Sequence, residues 1–415
     1  MKRLKFGFIG AGFIGRFHAK AMQFVRGVDL VAVTSPNRAP KFAEWAQEQG
    51  FTECKAYKTI KEVCEASDVV VVLSPNYTRV DIVGQIVEAV KAGADLDAVI
   101  CEKPLGRTVA EAREMMKLAD EGGFPTIYFE NQLHMKPIQA QLAQLRPQME
   151  TMGPLTLCRS AEEHAGPHEP WFWDPTQQGG GVLSDMGCHS IACSWYCLTP
   201  PGKPLTFLEP VEVTCETALL KWGKPKYREK LLKEMGIDYG KTPAEDFTTG
   251  LITFMNPDSG DVSKAMFTNS WMFDKVGLRL AMEGMGPGYA FDIDTLQAPL
   301  HIFIGDEAAE AAADAETALE KATASRGLMA VHHNEADLYG YVDEFVDARD
   351  SILHGREPLA RWDYGLEITR LCMAAYMAAE KKRTIDMTDP AIQKELETFV
   401  PLIAQGKGGE ILYVE

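Results

Sequence analysis

Asp185 and His189 stand four residues apart in Gly179-Gly180-Gly181-Val182-Leu183-Ser184-Asp185-Met186-Gly187-Cys188-His189. On a helix that spacing puts both side chains on one face, where a carboxylate and an imidazole can flank a single hydroxyl and share its proton. The preceding glycines read as a flexible loop that delivers the helix. The plainer alternative is a helix-capping aspartate followed by an ordinary polar histidine. A second candidate, Lys103, lies in Cys101-Glu102-Lys103-Pro104-Leu105, where a β-branched run ends and proline imposes a turn. It is either a surface lysine or an ammonium at the edge of a ligand crevice. The third string, Gly10-Ala11-Gly12-Phe13-Ile14-Gly15, fits the GxGxxG pattern. Its first glycine permits a tight turn, its second lets backbone approach a pyrophosphate, and its third allows close packing of helix on strand.

Such a glycine string carries weight only between a strand and a helix, and the surrounding sequence supplies both. From Lys5 to Tyr128, strand candidates at 5–9, 30–34, 69–73, 98–101 and 126–129 alternate with amphipathic stretches at 13–25, 40–49, 82–92 and 110–119. This is the pattern of parallel strands joined by crossover helices. An α/β dinucleotide-binding Rossmann domain with a doubly wound parallel sheet is therefore expected over 1–131, its crevice at the carboxyl ends of the strands. A lysine there, beside a nicotinamide, would have its pKa lowered toward catalytic use by the ring charge and by partial burial.

After about Gln132 the pattern changes to longer alternating runs at 211–220, 248–254, 263–271 and 278–283. A second, α+β domain over 132–415, with a large, mostly antiparallel open sheet, is expected to bind substrate and mediate oligomerisation. The charged segment between Lys221 and Asp246 reads as a surface excursion, 308–324 as a solvated helix, and 335–354 and 364–380 as closing helices.

About 20 residues past the glycines an acid normally receives the adenosine ribose hydroxyls. Here the chain has Thr34-Ser35-Pro36-Asn37-Arg38 instead. Ser35 and Asn37 can hydrogen-bond a free ribose, whereas Arg38 can pair with a 2′-phosphate, so the cofactor is NAD or NADP, with NAD favoured. Upstream of Asp185, the stretch from Glu162 to Asp174 is dense in histidine and tryptophan. Trp171 and Trp173 offer aromatic faces to the C–H side of a sugar, and His164 and His168 offer polar contacts to its hydroxyls. The same tryptophans also fit a domain core. His164, His168, Asp185 and His189 form a conceivable metal set, but no HExxH-type pairing accompanies them and no metal is assigned. Asn269 and Trp271 are further pocket candidates, and His332-His333 a lesser one.

Together these strings resemble the glucose-fructose oxidoreductase / inositol dehydrogenase (Gfo/Idh/MocA) family. The likeness runs through GFIGAGFIGRFHAKAM, SPNYTR, CEKPLGRTVAEAREM, ENQLHMKP, GGGVLSDMGCH and GLEITRLCMAAYMAAEKKRTI, and so touches nearly the whole chain. It implies that Lys103, Asp185 and His189 line the substrate pocket, with the histidine as acid/base. It also implies that Ser74, Pro75 and Asn76 border the nicotinamide and its ribose, and that Glu102 lies where the chain passes the cofactor. Asn131 matches the family's pocket asparagine. The sequence departs from the family at Arg79, where a histidine is common, and at Gln132-Leu133-His134, where an arginine usually follows the asparagine.

Composition narrows the function classes. A chain of 415 residues with 46% apolar and 24% charged residues suits two soluble globular domains. No apolar run approaches the roughly 20 residues of a membrane helix. With 42 Lys and Arg against 59 Asp and Glu, the net charge of −17 disfavours nucleic acid and anionic lipid. The nine cysteines include no CxxC pair and read as reduced core residues of a cytoplasmic protein. The expected function is hydride transfer between nicotinamide and a hydroxyl carbon of a sugar, cyclitol or glycoside, by a homodimer or homotetramer. Two rivals are an NAD-dependent glycosidase working through transient sugar oxidation, elimination and re-reduction, and a non-catalytic nucleotide-sensing protein.

Overall fold

The computed structural model describes residues 3–275, 277–297, 300–304, 327–331 and 334–412. The helix expected over 308–324 and the pair His332-His333 lie outside the described residues. The chain folds as two compact units, Met1–Lys136 with Ala336–Thr369, and Pro137–Glu335 with Arg370–Glu415. The boundary expected after residue 131 thus lies near the first crossing, at 136. The expectation of one continuous second domain is amended, because residues 336–369 return to the first unit.

Six parallel strands build the first unit: β1 (Leu4–Ile9), β2 (Val28–Thr34), β3 (Lys55–Ala56), β4 (Val69–Val72), β5 (Ala98–Glu102) and β6 (Thr126–Phe129). Their order is β3-β2-β1-β4-β5-β6, so the winding reverses between β1 and β4, and a ligand crevice opens at their carboxyl ends. The run Val69-Val70-Val71-Val72 is wholly buried, as a central strand covered on both faces must be. Local signals set the helices between strands. Thr59 and Glu62 close a capping box on Ile60–Ala66, and Thr108 caps Val109–Gly122, which ends at Gly123 with φ 66°. Gly340, at φ 88°, separates the short helix Glu335–Leu338 from Tyr341–His354, and Phe345 of the latter packs on Phe6 and Phe129.

The second unit has a seven-stranded sheet. Its strands are β7 (Leu157–Glu163), β8 (Glu209–Ala218), β9 (Phe247–Met255), β10 (Val262–Ser270), β11 (Arg279–Gly286), β12 (Tyr289–Asp294) and β15 (Ile385–Asp386), in the order β12-β11-β7-β10-β9-β8-β15. Only the β7–β10 pairing in this sheet is parallel. A separate hairpin joins β13 (Leu300–Ile304) to β14 (Gly327–Val331). The helix Cys188–Leu198 packs on β7 and β10, where Ser160 and Ser194 share a buried 2.7 Å hydrogen bond. Much of the charged segment between β8 and β9 is a helix, Pro225–Met235, with proline in its first turn and Gly236 at φ 73° behind it; Leu231 is its buried residue. Among the described residues no helix is long and apolar enough to cross a membrane.

Candidate active site

In the first unit, β1 runs into Gly10 at φ 128°, and a Cβ there would come within 2.7 Å of the Leu73 carbonyl group. Only glycine fits. A Cβ on Gly15 would lie 3.0 Å from the Gly10 carbonyl oxygen, so the third glycine lets the helix pack against the turn. The helix Phe13–Met22 starts at Gly12 with no side-chain cap, an arrangement that suits an anion. After β4, the Ser74 hydroxyl is buried without a hydrogen-bond partner, a cost a polar ligand would relieve. Cradle, uncapped helix start and orphaned hydroxyl together fit a dinucleotide. Asn76 is buried and Ser35 half-buried, while Asn37 and Arg38 are exposed. Arg38 Nη1 stands 3.6 Å from where a Cβ on Gly12 would lie.

Lys103 directly follows β5, and its backbone is gripped from two sides. Arg79, 4% exposed, donates to the carbonyls of Glu102 (2.6 Å), Lys103 (3.0 Å) and Pro104, and its Nε donates to that of Ser74 (3.3 Å). The Glu102 carboxylate accepts the Lys103 backbone N–H at 2.9 Å and meets His18 Nε2 at 2.6 Å. Burial pushes this carboxyl up, but the His18 hydrogen bond and the charges of His18, Lys103 and Arg79 outweigh it and hold Glu102 below its ordinary value. Beyond His18, whose Nδ1 is 3.4 Å from Glu344, the order reverses. Burial and the charges of Glu102, Glu130 and Asp347 hold Glu344 well above the usual carboxylate range. Two acids pushed in opposite directions therefore flank the imidazole. The Asn131 side-chain amide, 5% exposed, donates to the Tyr339 carbonyl at 2.7 Å.

In the second unit the triple glycine has a steric cause. A Cβ on Gly180, at φ 151°, would overlap the Tyr376 hydroxyl, and one on Gly181 would overlap Glu245. The Glu245 carboxyl accepts from the backbone N–H of Gly181 (3.1 Å to each oxygen) and of Leu183 (3.0 Å), and from the Tyr376 hydroxyl (2.6 Å). That hydroxyl in turn accepts from the N–H groups of Gly181 (3.1 Å) and Ser184 (3.3 Å). Burial pushes Glu245 up to about 7 against these hydrogen bonds.

The anchored loop leads into a π turn, Leu183–Gly187, before the α-helix begins at Cys188. The regular helix expected to carry both Asp185 and His189 is therefore widened at Asp185, as helices often are at functional positions. Asp185, 6% exposed, accepts from Trp271 Nε1 at 3.1 Å and lies 3.7 Å from His164 Nε2. Gly166 N–H donates to His164 Nδ1 at 2.9 Å. The proton of a neutral ring is thus on Nε2, toward Asp185. His189 is also buried, and the neighbouring Ser190 hydroxyl accepts from Asn269 at 2.8 Å.

The structure brings together Asp185, His164 and Trp271, but it treats the loop tryptophans differently. Trp173 is 1% exposed, donates to the Pro167 carbonyl at 3.0 Å, and packs against Trp222, Tyr239 and Trp271. Its expected sugar-facing role is corrected to a core role. Trp171 is half-buried and stacks on Phe172 at 3.9 Å, and His168 is also half-buried. Among the described residues no group of three or more His, Cys, Asp or Glu is placed to hold a metal ion. All nine cysteines are buried, and burial pushes the thiols of Cys54, Cys64 and Cys215 up to about 12.

A model of the oxidoreductase family with the NAD-binding Rossmann fold, GFO_IDH_MocA, matches residues 4–128, and the model of that family's C-terminal domain matches residues 147–284. The chain belongs to the Gfo/Idh/MocA oxidoreductase family, and its first unit is the family's NAD-binding domain. Among curated relatives, the rhizopine catabolism protein MocA of Rhizobium meliloti is 28% identical over 200 residues, covering 46% of this chain and 56% of that protein. Glucose-6-phosphate 3-dehydrogenase of Bacillus subtilis is 25% identical over 199 residues, covering 46% and 53%. The chain thus spans just over half the length of these relatives. Two solved structures share the fold over nearly all of the chain. GenD2 from gentamicin A biosynthesis, in complex with NAD, has a TM-score of 0.71 at 22% identity and covers 94% of this chain and 97% of its own. A myo-inositol dehydrogenase from Corynebacterium glutamicum has a TM-score of 0.66 at 19% identity and covers 93% and 99%.

Sequence reasoning missed His18, Glu344, Glu245 and Tyr376, and it registered Arg79 only as a departure. The signal for Glu245 and Tyr376 was the row of glycines, which implies that something bulky presses on the loop.

Proposed function

We propose that the protein is an NAD(P)-dependent dehydrogenase of a sugar, cyclitol or glycoside hydroxyl, with Lys103, Asp185 and His189 as the reacting groups. What carries this reading is the buried polar set on the second unit of an NAD-binding oxidoreductase, where Asp185 is oriented by Trp271 and His164 a few residues before His189. The names of relatives agree in substrate class, among them glucose-6-phosphate 3-dehydrogenase and inositol 2-dehydrogenase.

Bound nicotinamide supplies the hydride acceptor. His189 takes the hydroxyl proton, and Lys103 hydrogen-bonds the substrate oxygen and stabilises charge developing on it. Asp185 orients substrate and imidazole. His164 and His168 bind neighbouring hydroxyls, and Trp171 offers its face to the sugar ring. Gly10, Gly12, Phe13, Ile14 and Gly15 receive the pyrophosphate, Ser35, Asn37 and Arg38 the adenosine ribose, and Ser74, Pro75, Asn76, Glu102 and Asn131 the nicotinamide end.

The test follows nicotinamide absorbance across a panel of sugars, cyclitols and glycosides. Reduction of NAD by one class is expected. Cleavage of a glycoside without added cofactor, by protein that keeps NAD through desalting, would transfer the assignment to the glycosidase mechanism. Silence across the panel despite cofactor binding would favour a sensor. We further propose homodimers or homotetramers formed through the second unit's sheet, which exposes Val262, Met266 and Met285 at 57%, 40% and 38%. Sedimentation as a monomer at micromolar concentration would overturn this.

A further inference from the structure

We propose that Glu245 is a positioning residue for Asp185 and His189, which fixes where the π turn begins by holding Gly181 and Leu183 and tightens that hold when it ionises. The kinetic part of this inference rests on the dehydrogenase reading, whereas the structural part does not.

The geometry is that of a single anchor. Three consecutive residues of the loop are tied to Glu245: Gly181 and Leu183 through its carboxyl, and Val182 by donating its N–H to the Glu245 backbone carbonyl at 3.1 Å. Tyr376 closes the arrangement by donating to Oε1 while accepting from Gly181 and Ser184. Asp185 is the next residue, so a shift of the anchor is passed directly to the carboxylate that receives the Trp271 indole.

The two protonation states differ in grip. Oε1 meets the Leu183 N–H and the Tyr376 hydroxyl as well as Gly181, whereas Oε2 meets only the shared Gly181 N–H, so Oε2 is the oxygen free to carry a proton. An ionised carboxylate accepts stronger hydrogen bonds than a neutral acid, so the loop is held more tightly as pH rises. Burial brings this ionisation up to about 7.

Other titratable groups also face Glu245. The phenols of Tyr376 and Tyr239 are pushed well above 10 by burial, and the thiol of Cys215 up to about 12. Cys372 lies beside Tyr376. Asp246, also raised by burial, is held by N–H donors from Leu220, Lys221 and Trp222 at 2.7, 2.8 and 2.7 Å. His164, 3.7 Å from Asp185, and His189 face the same turn, whereas Glu245 is the acid that the Gly181 and Leu183 N–H groups themselves meet.

Glu245→Gln keeps an acceptor at the Oε1 position, places an amide at Oε2, and so imitates the protonated acid at every pH. The experiment follows the Trp271 indole N–H resonance of the full-length, 15N-labelled protein with pH, assigned with Trp271→Phe, alongside kcat, KM and cofactor affinity. The wild-type resonance is expected to move with a midpoint near pH 7, and Glu245→Gln should abolish that step. At pH 8 the variant should lose about tenfold in kcat, with KM and cofactor affinity within about twofold of wild type. Tyr376→Phe removes a donor to Oε1 and should move the midpoint upward by about one unit.

A Glu245→Gln protein whose indole titrates like wild type would overturn the proposal, as would a Tyr376→Phe protein whose midpoint stays in place. If Glu245→Gln does not fold, the Tyr376→Phe midpoint decides. If the indole follows both variants but no substrate on the panel turns over, the dehydrogenase reading fails and the anchoring role stands.

Discussion

The turn at Lys103 and the glycine loop before Asp185 are held by groups of opposite charge. Arg79 lies among carbonyl oxygens and donates to four of them, and Glu245 lies among N–H groups and a phenol and accepts from them. Each is the group that open, irregular backbone requires, because a buried turn leaves carbonyls unsatisfied and a helix start leaves N–H groups unsatisfied. They differ in their response to pH. A guanidinium keeps its charge in any ordinary buffer, whereas Glu245 changes state at about 7. The cofactor unit thus carries a pH-indifferent clamp and the second unit a pH-dependent one.

The largest effect should come from the groups these clamps serve. On the proposed mechanism, in which His189 is the proton acceptor, His189→Ala is expected to lower kcat by roughly 10²- to 10⁴-fold with NAD affinity unchanged. On the same reading, Lys103→Ala should slow turnover and also raise KM, because the proposed role has its ammonium contact the hydroxyl in ground and transition states alike. Steady-state kinetics with cofactor binding followed by fluorescence separates the two, and near wild-type kcat in His189→Ala would sink the mechanism.

Next in size is the dependence of stability on pH. The Glu245 pKa is raised from 4.5 to about 7 in the folded chain. Its contribution is therefore fully present below the unfolded value and lost as pH rises through about 7, by about 3 kcal/mol. Glu102, held low by His18, has the opposite sign, and its contribution is lost on acidification. Urea unfolding between about pH 4 and 8 should show a decline at both ends. Glu245→Gln should lessen the decline on the alkaline side, leaving the part that the raised Glu344 contributes, and keep the acid one. Loop grip and stability run in opposite directions here, since the ionised carboxyl makes stronger bonds but bears the cost of burial.

A smaller effect belongs to the guanidinium clamp. Arg79→Lys keeps the charge but loses the fork that reaches several carbonyls at once, and should cost about 2 kcal/mol and slow turnover at every pH tested. A pH-dependent loss would remove the contrast between the two units.

What the sequence revealed and what it concealed divide along the same line. Local patterns exposed the glycines from Gly10 to Gly15 and the five longer strands of the first sheet, and they offered Lys103, Asp185 and His189 as candidates. Groups brought from far along the chain were hidden: Glu245 lies 64 residues and Tyr376 195 residues from the Gly181 they hold. β7 escaped notice although it lies inside the second sheet, because its inward residues are Cys158, Ser160 and Glu162 and show no apolar alternation. The two-residue β3 is too short to show a period. Trp173 was misjudged for a related reason. Composition marks an aromatic as able to face a sugar, but only the surrounding Trp222, Tyr239 and Trp271 show that it fills a core.

The smallest expected effect concerns the adenosine end of the cofactor. No acid directly follows β2, and on the proposed assignment Ser35 and Asn37 serve a free ribose in its place. Arg38 is exposed, with Nη1 3.6 Å from the Cβ position of Gly12. A guanidinium in solvent gains little from one phosphate at physiological salt. Titration of both cofactors should therefore favour NAD by less than tenfold, about 1.4 kcal/mol. Arg38→Ala should leave NAD affinity within about twofold and weaken NADP binding somewhat more. A tenfold preference for NADP that disappears in Arg38→Ala would instead assign Arg38 to the 2′-phosphate, and would give the cofactor unit a second cationic clamp beside Arg79.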